Sequence, residues 1–509
     1  MSTRIQNFGR FLNKNTPVTV TFNGQSLGGY QGDTLASALL ANDRMLMGRS
    51  FKYHRPRGVV ASGTEEPNAL VNMGQGARFE PNQRTTTTEL FDGLTATSQN
   101  HWPSLDFDVG VVNNYVSRFL PAGFYYKTFM FPRAAWKHVF EPIVRQSAGL
   151  GKPPKERDAD RYEHFYFFTD VLVVGGGIAG LQAALAAASS GAKVLLIEQT
   201  AHWGGRAPVD GAEIGGKPAE EWVAETLATL QGMDNVTIRN RTSGAGVYDH
   251  GYALGYEQIT DHAPDTDAPR HRLWRIRAKQ IITATGAIER SLSFAGNDIP
   301  GVMLASAVRD YLVNWGVAVG QRTVVVTNND DAYRTAIALK QAGLEVPAII
   351  DARPLVEGEL ANQARALGIV VREGRAIAKI KGGKRVTGVD VCLQDGDGGA
   401  REEIKCDCVA MSGGWSPVVH LWSHCGGKLN WVEDQAHFAP DPKRPPTGAD
   451  GRGFVLTAGI ASGAMDTPAV LKDAHAAGKS AAKAAGFTPK RAGPPKARPT
   501  DEALMAPVW

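Results

Sequence analysis

The chain's 509 residues, with 43% hydrophobic content, suffice for more than one domain with a real core, which excludes a disordered or fibrous protein. Its 55 basic and 51 acidic residues leave a net charge of +4, too balanced for a nucleic-acid footprint unless the positive charge is clustered. Four cysteines, Cys392, Cys406, Cys408 and Cys425, fall late in the chain without metal-ligand spacing and read as reduced structural thiols, so no metal site is expected.

The opening "MSTRIQNFGRFLNKNTPV" lacks the apolar core of a secretory signal, and nowhere do 18 apolar residues run unbroken. A soluble, cytoplasmic protein without membrane contact is expected. Next, "PVTVTFNGQSLGGYQGDTLASALLAND" alternates apolar and polar residues, turns at Asn23–Gly24, alternates again, then shifts to helical spacing at Leu35, Ala38, Leu39 and Leu40. Hairpin then helix opens a β-grasp, ferredoxin-like module, assigned to residues 1–100. Ferredoxins follow that helix with a cysteine-bearing loop, whereas "MGRSFKYHRPRGVVASG" has no cysteine, so this module is expected to hold no iron–sulfur cluster by thiolates. It offers Arg49, Lys52, His54, Arg55 and Arg57 beside Phe51 and Tyr53. Lys52 and Arg55 are the candidates for gripping a phosphate or an acidic partner, against the plain alternative of a solvated basic loop.

Residues 101–165 contain "FLPAGFYYKTFMFPRAAWKHVF", aromatic-rich and without a clean period, a segment that wraps its own domain or meets another subunit. A charged, proline-bearing linker, "GLGKPPKERDADRYEH", follows.

"DVLVVGGGIAGLQAALAAASSGAKVLLIEQ", Asp170 to Gln199, then reads as strand, glycine turn, helix, strand and acid. Gly175 permits the tight turn, Gly177 lets the backbone approach a pyrophosphate, and Gly180 lets the helix pack close, so that the helix N-terminus faces the phosphates. Glu198 would accept hydrogen bonds from the adenine-side ribose, and a carboxylate there favours NAD or FAD over NADP. A glycine turn with no nucleotide is the competing reading. "HWGGRAPV" adds Gly204, Gly205 and Arg206, the position where two-dinucleotide-domain flavoproteins place a glycine pair. A β-meander is expected from "VTIRNRT", "GYALGYEQI" and "HRLWRIRAKQIITATGAIER", whose "ATGA", with Gly286, resembles the turn leaving the first nucleotide domain of glutathione-reductase-like flavoproteins. The expected fold is thus α/β: the cysteine-free β-grasp module followed by a glutathione-reductase-like pair of Rossmann-type domains. The first covers 166–318 and 415–487, the second is inserted at 319–414, and a proline-rich tail spans 488–509.

The second unit begins at "RTVVVTNNDDAYRTAIALKQAGLEVPAIIDARP", with Asp351 ending its second strand. Its turn has no glycine, and Asp330 and Asp331 are expected to cap the helix and repel a pyrophosphate, leaving an empty scaffold. In "FVLTAGIASG", Ala458 and Gly459 are followed by Ile460, where many FAD proteins of this class carry an Asp that holds the ribityl chain. Losing that bond would cost FAD on the order of 1.5–3 kcal/mol, so the first site leans toward NAD+.

"GRSFKYHRPRG", "LPAGFYYKTFM", "VVGGGIAGLQAA", "ATGAIER" and "PGVMLASAVRDYL", spread over nearly the whole length, resemble the N-terminal half of the α subunits of heterotetrameric sarcosine oxidases. The resemblance implies NAD+ bound without turnover in an FAD-like site, held by Gly175, Gly177, Ala179, Gly180, Glu198, Gln199, Thr200 and Arg206, with Gly244 and the stretch from Ala458 through Gly459 to Thr467. It further implies a β subunit whose FAD oxidises sarcosine, an FMN at the α/β interface that passes electrons to O2, and γ and δ subunits. Products are glycine, hydrogen peroxide and formaldehyde, the last captured on tetrahydrofolate by a domain that family α subunits carry beyond this region. That domain is expected to be absent here, as in a fragment, a split subunit or a member that leaves formaldehyde free. Dimethylglycine or another N-methyl amine would fit the same chemistry.

No Ser/His/Asp set or general base points to a catalytic residue, and His164, His202 and His424 read as ordinary polar or packed histidines. Two rival readings are a self-sufficient FAD-dependent NADH reductase, which needs a working second site, and an assembly module with no ligand.

Overall fold

The computed structural model describes residues 2–507 apart from 125–128, 130, 148, 150, 265 and 500–504. In the N-terminal module, β1 (Asn13–Phe22) and β2 (Gln25–Gln31) form a hairpin in which Phe22 pairs with Gln25. Asn23 and Gly24 between them have φ of 49° and 78°, the two positive values that a type I′ turn needs. Helix α1 (Leu35–Ala41) starts at a capping box: Thr34 Oγ1 accepts from Ser37 N–H, and Ser37 Oγ accepts from Thr34 N–H. All of α1 is buried beneath a sheet completed by β3 (Leu70–Met73), β4 (Glu80–Arg84) and β5 (Thr95–Ser98), in the order β2-β1-β5-β3-β4 with β1 parallel to β5.

The loop between α1 and β3 folds around an internal anion. The Glu66 carboxylate, 2% exposed, accepts backbone N–H bonds from Val60 (2.6 Å), Ala61 (2.8 Å), Asn68 (2.7 Å) and Ala69 (3.1 Å). Burial pushes its pKa up and these four donors pull it down, with burial the larger effect. Glu66→Gln turns an amide nitrogen toward donors that need an acceptor. It is expected to destabilise the chain by about 3 kcal/mol, read as a lowered urea midpoint at unchanged slope. The loop also joins the module to the rest of the chain, for Leu304 N–H donates to Val60 O and Tyr311 Oη to Ala61 O.

The first nucleotide unit contains β6 (Tyr162–Val174), α2 (Ile178–Ala188), β7 (Val194–Ile197), α3 (Ala219–Gln231), β8 (Val236–Arg239), β9 (Thr242–Tyr248), β10 (Tyr252–Gln258) and β11 (His271–Thr283). The sheet order is β8-β7-β6-β11-β10-β9, with β6, β7 and β8 parallel and β9 to β11 an antiparallel meander. The stretch expected as the first meander strand therefore divides: 236–239 is the third parallel strand, and the meander starts at Thr242, in the small-residue run "TSGAGVY" that carries no strand signature.

The second unit begins earlier than its sequence suggested. β12 (Val302–Leu304) and α4 (Ala305–Trp315) precede β13 (Thr323–Thr327), α5 (Asp331–Gln341), β14 (Ile349–Asp351), β15 (Val371–Arg372) and β16 (Cys408–Ser412). Their parallel sheet runs β12-β16-β13-β14-β15, so residues 302–315, assigned above to the first unit, belong with the second. One apolar core runs from Leu35 and Leu39 of the N-terminal module to Tyr311, Val325 and Ile349 of this unit. The chain then returns to the first unit with β17 (Val455–Thr457), parallel to β11, and α6 (Thr467–Ala484), which lies on α2. A Cβ at Gly478 would overlap the Ala183 carbonyl, so the alanine-rich faces set that close approach.

The proline-rich tail is docked rather than a free linker. Ala497 bridges to Ile214, Met505 bridges to Asn329, and Asn328 and Ala506 exchange hydrogen bonds. Among the described residues no helix is long and apolar enough to cross a membrane.

Candidate functional site

The first crevice opens at the C-terminal end of β6. Gly175, at φ 109°, turns the chain, and a Cβ at Gly180 would overlap the Gly175 carbonyl oxygen, so the protein's own packing explains both glycines. Gly177 is different. Its φ of −67° suits any residue, and a Cβ there would meet nothing closer than Gly205 Cα at 4.0 Å. The space above Gly177 is left open at the N-terminus of an eleven-residue helix that carries no side-chain cap, which fits the diphosphate of a dinucleotide.

The second glycine pair closes one wall: Gly204 N–H donates to Gly176 O at 2.8 Å, and Gly204 bridges to Gly177. Trp203 packs on Gly176, a contact not foreseen from sequence although "HWGGR" was singled out. Glu198 turns back onto the loop. Its Oε2 accepts Gly176 N–H (2.6 Å), while Oε1 accepts Thr200 N–H (2.8 Å) and Thr200 Oγ1 (2.9 Å), and burial holds its pKa above the ordinary value. Three of about four acceptor positions are thus used, leaving one on Oε2 for a hydroxyl donor. Gln199 and Thr200 are exposed beside it.

The remaining candidates lie around this crevice in different ways. Ala179 on α2 touches Gly459, where a Cβ would overlap it, so Ala458 and Gly459 wall the crevice from the far side. Ile460 was read as a lost carboxylate, yet Asp473 of α6 supplies one to the same turn: its Oδ2 accepts Gly459 N–H (2.8 Å) and Ser462 Oγ (2.7 Å). Thr467 begins α6, and Gly286 has open space around it. Gly244, by contrast, packs on Val174 and Leu421. Arg206 is committed to carboxylates, donating to both oxygens of Asp310 and to Asp210 Oδ1, each at 3.1 Å, with its guanidinium 5.1 Å from the Trp415 ring. Burial would lower its pKa, but Asp210, Asp310 and Asp331 outweigh that and hold it above the ordinary range.

The second crevice is filled by the chain itself. The expectation that Asp330 and Asp331 cap α5 needs correction, because the Asp330 side chain makes no capping bond. Arg353 instead bonds Asp330 Oδ1 and Asp351 Oδ2, each at 2.7 Å, and Arg309 binds both oxygens of Asp331 at 3.1 Å. Asp351, the acid at the end of β14, also accepts from Tyr333 Oη at 2.8 Å. With Met505 and Ala506 laid on Asn328 and Asn329, both the phosphate turn and the ribose acid have internal partners.

The basic loop is bonded inward. Lys52 Nζ donates to Pro121 O, Arg55 Nε to Asn114 Oδ1, Arg57 to Asp298, and His54 pairs with Asp108. His202 stacks on Phe11 with centroids 3.4 Å apart, and burial pushes its pKa down to about 4, so it stays neutral. His424 meets Tyr248 edge-on, and His164 is exposed.

Two Rossmann-type units, one with an open phosphate turn, define a nucleotide-binding oxidoreductase scaffold. Residues 169–432 match the pyridine nucleotide-disulphide oxidoreductase family, and the chain belongs to that family. Residues 15–101 match a 2Fe-2S iron-sulfur cluster binding domain, although no cysteine lies among them. The chain is 44% identical to the sarcosine oxidase subunit alpha of Rhizobium meliloti (strain 1021) over 91% of its own length and 46% of that protein. It is 34% identical to the sarcosine oxidase subunit alpha of Corynebacterium sp. (strain U-96) over 99% of this chain and 47% of that one. The chain thus spans about half the length of the curated relatives it matches. A solved structure of L-proline dehydrogenase from P. horikoshii shares the fold, with a TM-score of 0.63 at 21% identity, covering 94% of this chain and 77% of that one.

Proposed function

We propose that the chain is the nucleotide-binding part of an α subunit in a flavin-dependent N-methyl amine oxidase. It holds NAD+ in the first crevice without turning it over and scaffolds an FAD-bearing β subunit, alongside γ and δ subunits. The reaction of the assembly is sarcosine + O2 + H2O giving glycine, formaldehyde and H2O2. Formaldehyde passes to tetrahydrofolate only where a folate-binding domain is supplied. The observation that carries this reading is the asymmetry of the two crevices, one open at Gly177 and one closed by Arg353.

In this reading the N-terminus of α2, with Gly175 and Gly177, orients the diphosphate, and Glu198 Oε2 accepts a ribose hydroxyl while Thr200 holds its other oxygen. Gly205 and Gly286 leave room beside the turn, and Ala458 and Gly459 close the far wall against Ala179. NAD+ when bound would supply hydride chemistry, but the closed second crevice gives no place for a second nucleotide to exchange with it. Ile460 puts no acceptor at the position where FAD's ribityl chain would need one, which supports the preference for NAD+ over FAD, and Asp473 spends its Oδ2 on Gly459 and Ser462. Burial pushes the thiols of Cys406 and Cys425 up to about 12 and about 11, so neither supplies a thiolate at neutral pH.

FMN at the interface with the β subunit follows from the same reading. Lys52 and Arg55 face it only through what their internal bonds leave exposed, chiefly the flank of Arg55. The hairpin and helix that open residues 15–101 support a β-grasp module, whose residues offer no thiolate to hold a cluster.

The test is cofactor analysis of the co-expressed assembly after denaturation: NAD+ at one equivalent per chain is expected, besides FAD and FMN. FAD recovered from the isolated chain with no NAD+ would contradict it. Rapid bleaching of a chain-bound flavin by NADH would favour the self-sufficient reductase instead.

A further inference from the structure

Of the 21 large apolar side chains that stand exposed among the described residues, ten lie between Trp102 and Ile143, a stretch under a tenth of the chain. Trp102 is 71% exposed, Tyr115 82%, Phe119 70% and Phe131 86%. From Val109 to Gly149 no described residue is buried. The segment is held to the body by polar contacts on its inner side: Lys52 Nζ to Pro121 O, Tyr53 Oη to Leu120 O, Arg55 Nε to Asn114 Oδ1. Ordering such a stretch costs conformational entropy that is ordinarily offset by burying its apolar side chains, and here those side chains point outward. Single monomers rarely leave an aromatic face of this kind uncovered.

The charge around the face selects what covers it. Arg118, Arg133 and Lys137 are exposed and in no ion pair among the described residues, while Glu141 is already paired with Arg145. A second copy docking face to face would bring the same cations together across a two-fold axis, which disfavours self-association. Resting on the subunit reading above, we propose that residues 102–124 and 131–143 form the docking face for the flavin-bearing partner subunit, whose matching surface has an apolar centre and an acidic rim. Aromatic side chains fill the centre and the three cations meet the rim, the composition that stable interfaces favour.

The test pairs hydrogen exchange with a double variant. The chain is expected to sediment as a monomer alone, and its exchange over 102–124 and 131–143 in that state sets the baseline. On addition of the co-expressed FAD-bearing subunit, protection should concentrate in those stretches. Tyr115→Asp with Phe119→Asp should weaken the complex by about 100-fold or more, with Tm and NAD+ content unchanged. The wild-type complex should also weaken as salt rises. A complex that forms with full affinity in the double variant, or protection elsewhere, overturns the proposal. So does protection over 102–124 and 131–143 that rises with the concentration of the chain alone, which would mean that a second copy covers this face. Failure of the wild-type chain to bind the FAD-bearing subunit at all would instead overturn the subunit reading itself.

Discussion

Gly177→Asp is expected to empty the first crevice of dinucleotide while leaving the fold intact or slightly stabilised. The backbone at Gly177 is compatible with any L-residue, and a Cβ there would touch only Gly205 Cα, at an unstrained 4.0 Å. As the N-cap of α2, an aspartate would accept from free N–H groups of the first turn and gain a few tenths of a kcal/mol over glycine. The same carboxylate would stand against the ligand's diphosphate. Like charges a few ångströms apart in a partly buried site cost on the order of 3 kcal/mol, a hundredfold or more in affinity. Nucleotide measured in the supernatant of denatured protein should fall accordingly, with Tm equal to or above that of the parent. Gly180→Ala is the contrasting control, because its Cβ overlaps the Gly175 carbonyl and must displace α2. Loss of nucleotide in both variants with loss of Tm only in the second separates a ligand cradle from a packing constraint.

The second large effect is a pH dependence centred on Glu289, at the end of the short strand Ala287–Glu289 that leaves the Gly286 turn. Its Oε2 accepts Ser306 N–H at 2.8 Å, whereas Oε1 is buried without a hydrogen-bond partner. Burial and then the neighbouring Asp331 push its pKa from 4.5 up to about 7, against the lowering by Ser306 and Ser412. Between these values the folded chain binds more protons than the unfolded one, so stability falls as pH rises through that window and levels off above about 7. The loss is on the order of 3 kcal/mol. Glu289→Gln removes the titrating group while keeping the shape, so its stability should change less between pH 5 and 7.5, with the gap between the two proteins widening toward the alkaline end. Parallel stability curves for parent and variant would contradict this assignment.

Much of the frame was legible because its signals are local. Asn23–Gly24 fixes a hairpin through two positive φ values, and the glycine turn between β6 and α2 follows from steric facts about Gly175 and Gly180. Asp330 and Asp331 were marked as hostile to a phosphate turn and credited by sequence spacing with capping, whereas in the fold both are paired with arginines. The actual partners, Arg353 and Arg309, come from other elements 23 and 22 residues away. Asp473 was missed for a similar reason, since it reaches Gly459 from the next turn of the following helix, a contact without periodicity. Glu66 lies close in sequence to its four donors, yet an irregular loop gives no repeating pattern from which such a nest can be read. The tail's composition suggested a linker, and only the fold brings Met505 onto Asn329. Local chemistry thus located the open crevice, whereas closing the other one required tertiary contacts.

The most direct measurement is a crystal structure of the chain grown with NAD+. Density for a dinucleotide should run along Gly175 and Gly177 at the head of α2, with Arg353 still joined to Asp330 and Asp351. A nucleotide bound beside Arg353, with the space over Gly177 left to solvent, would contradict the account.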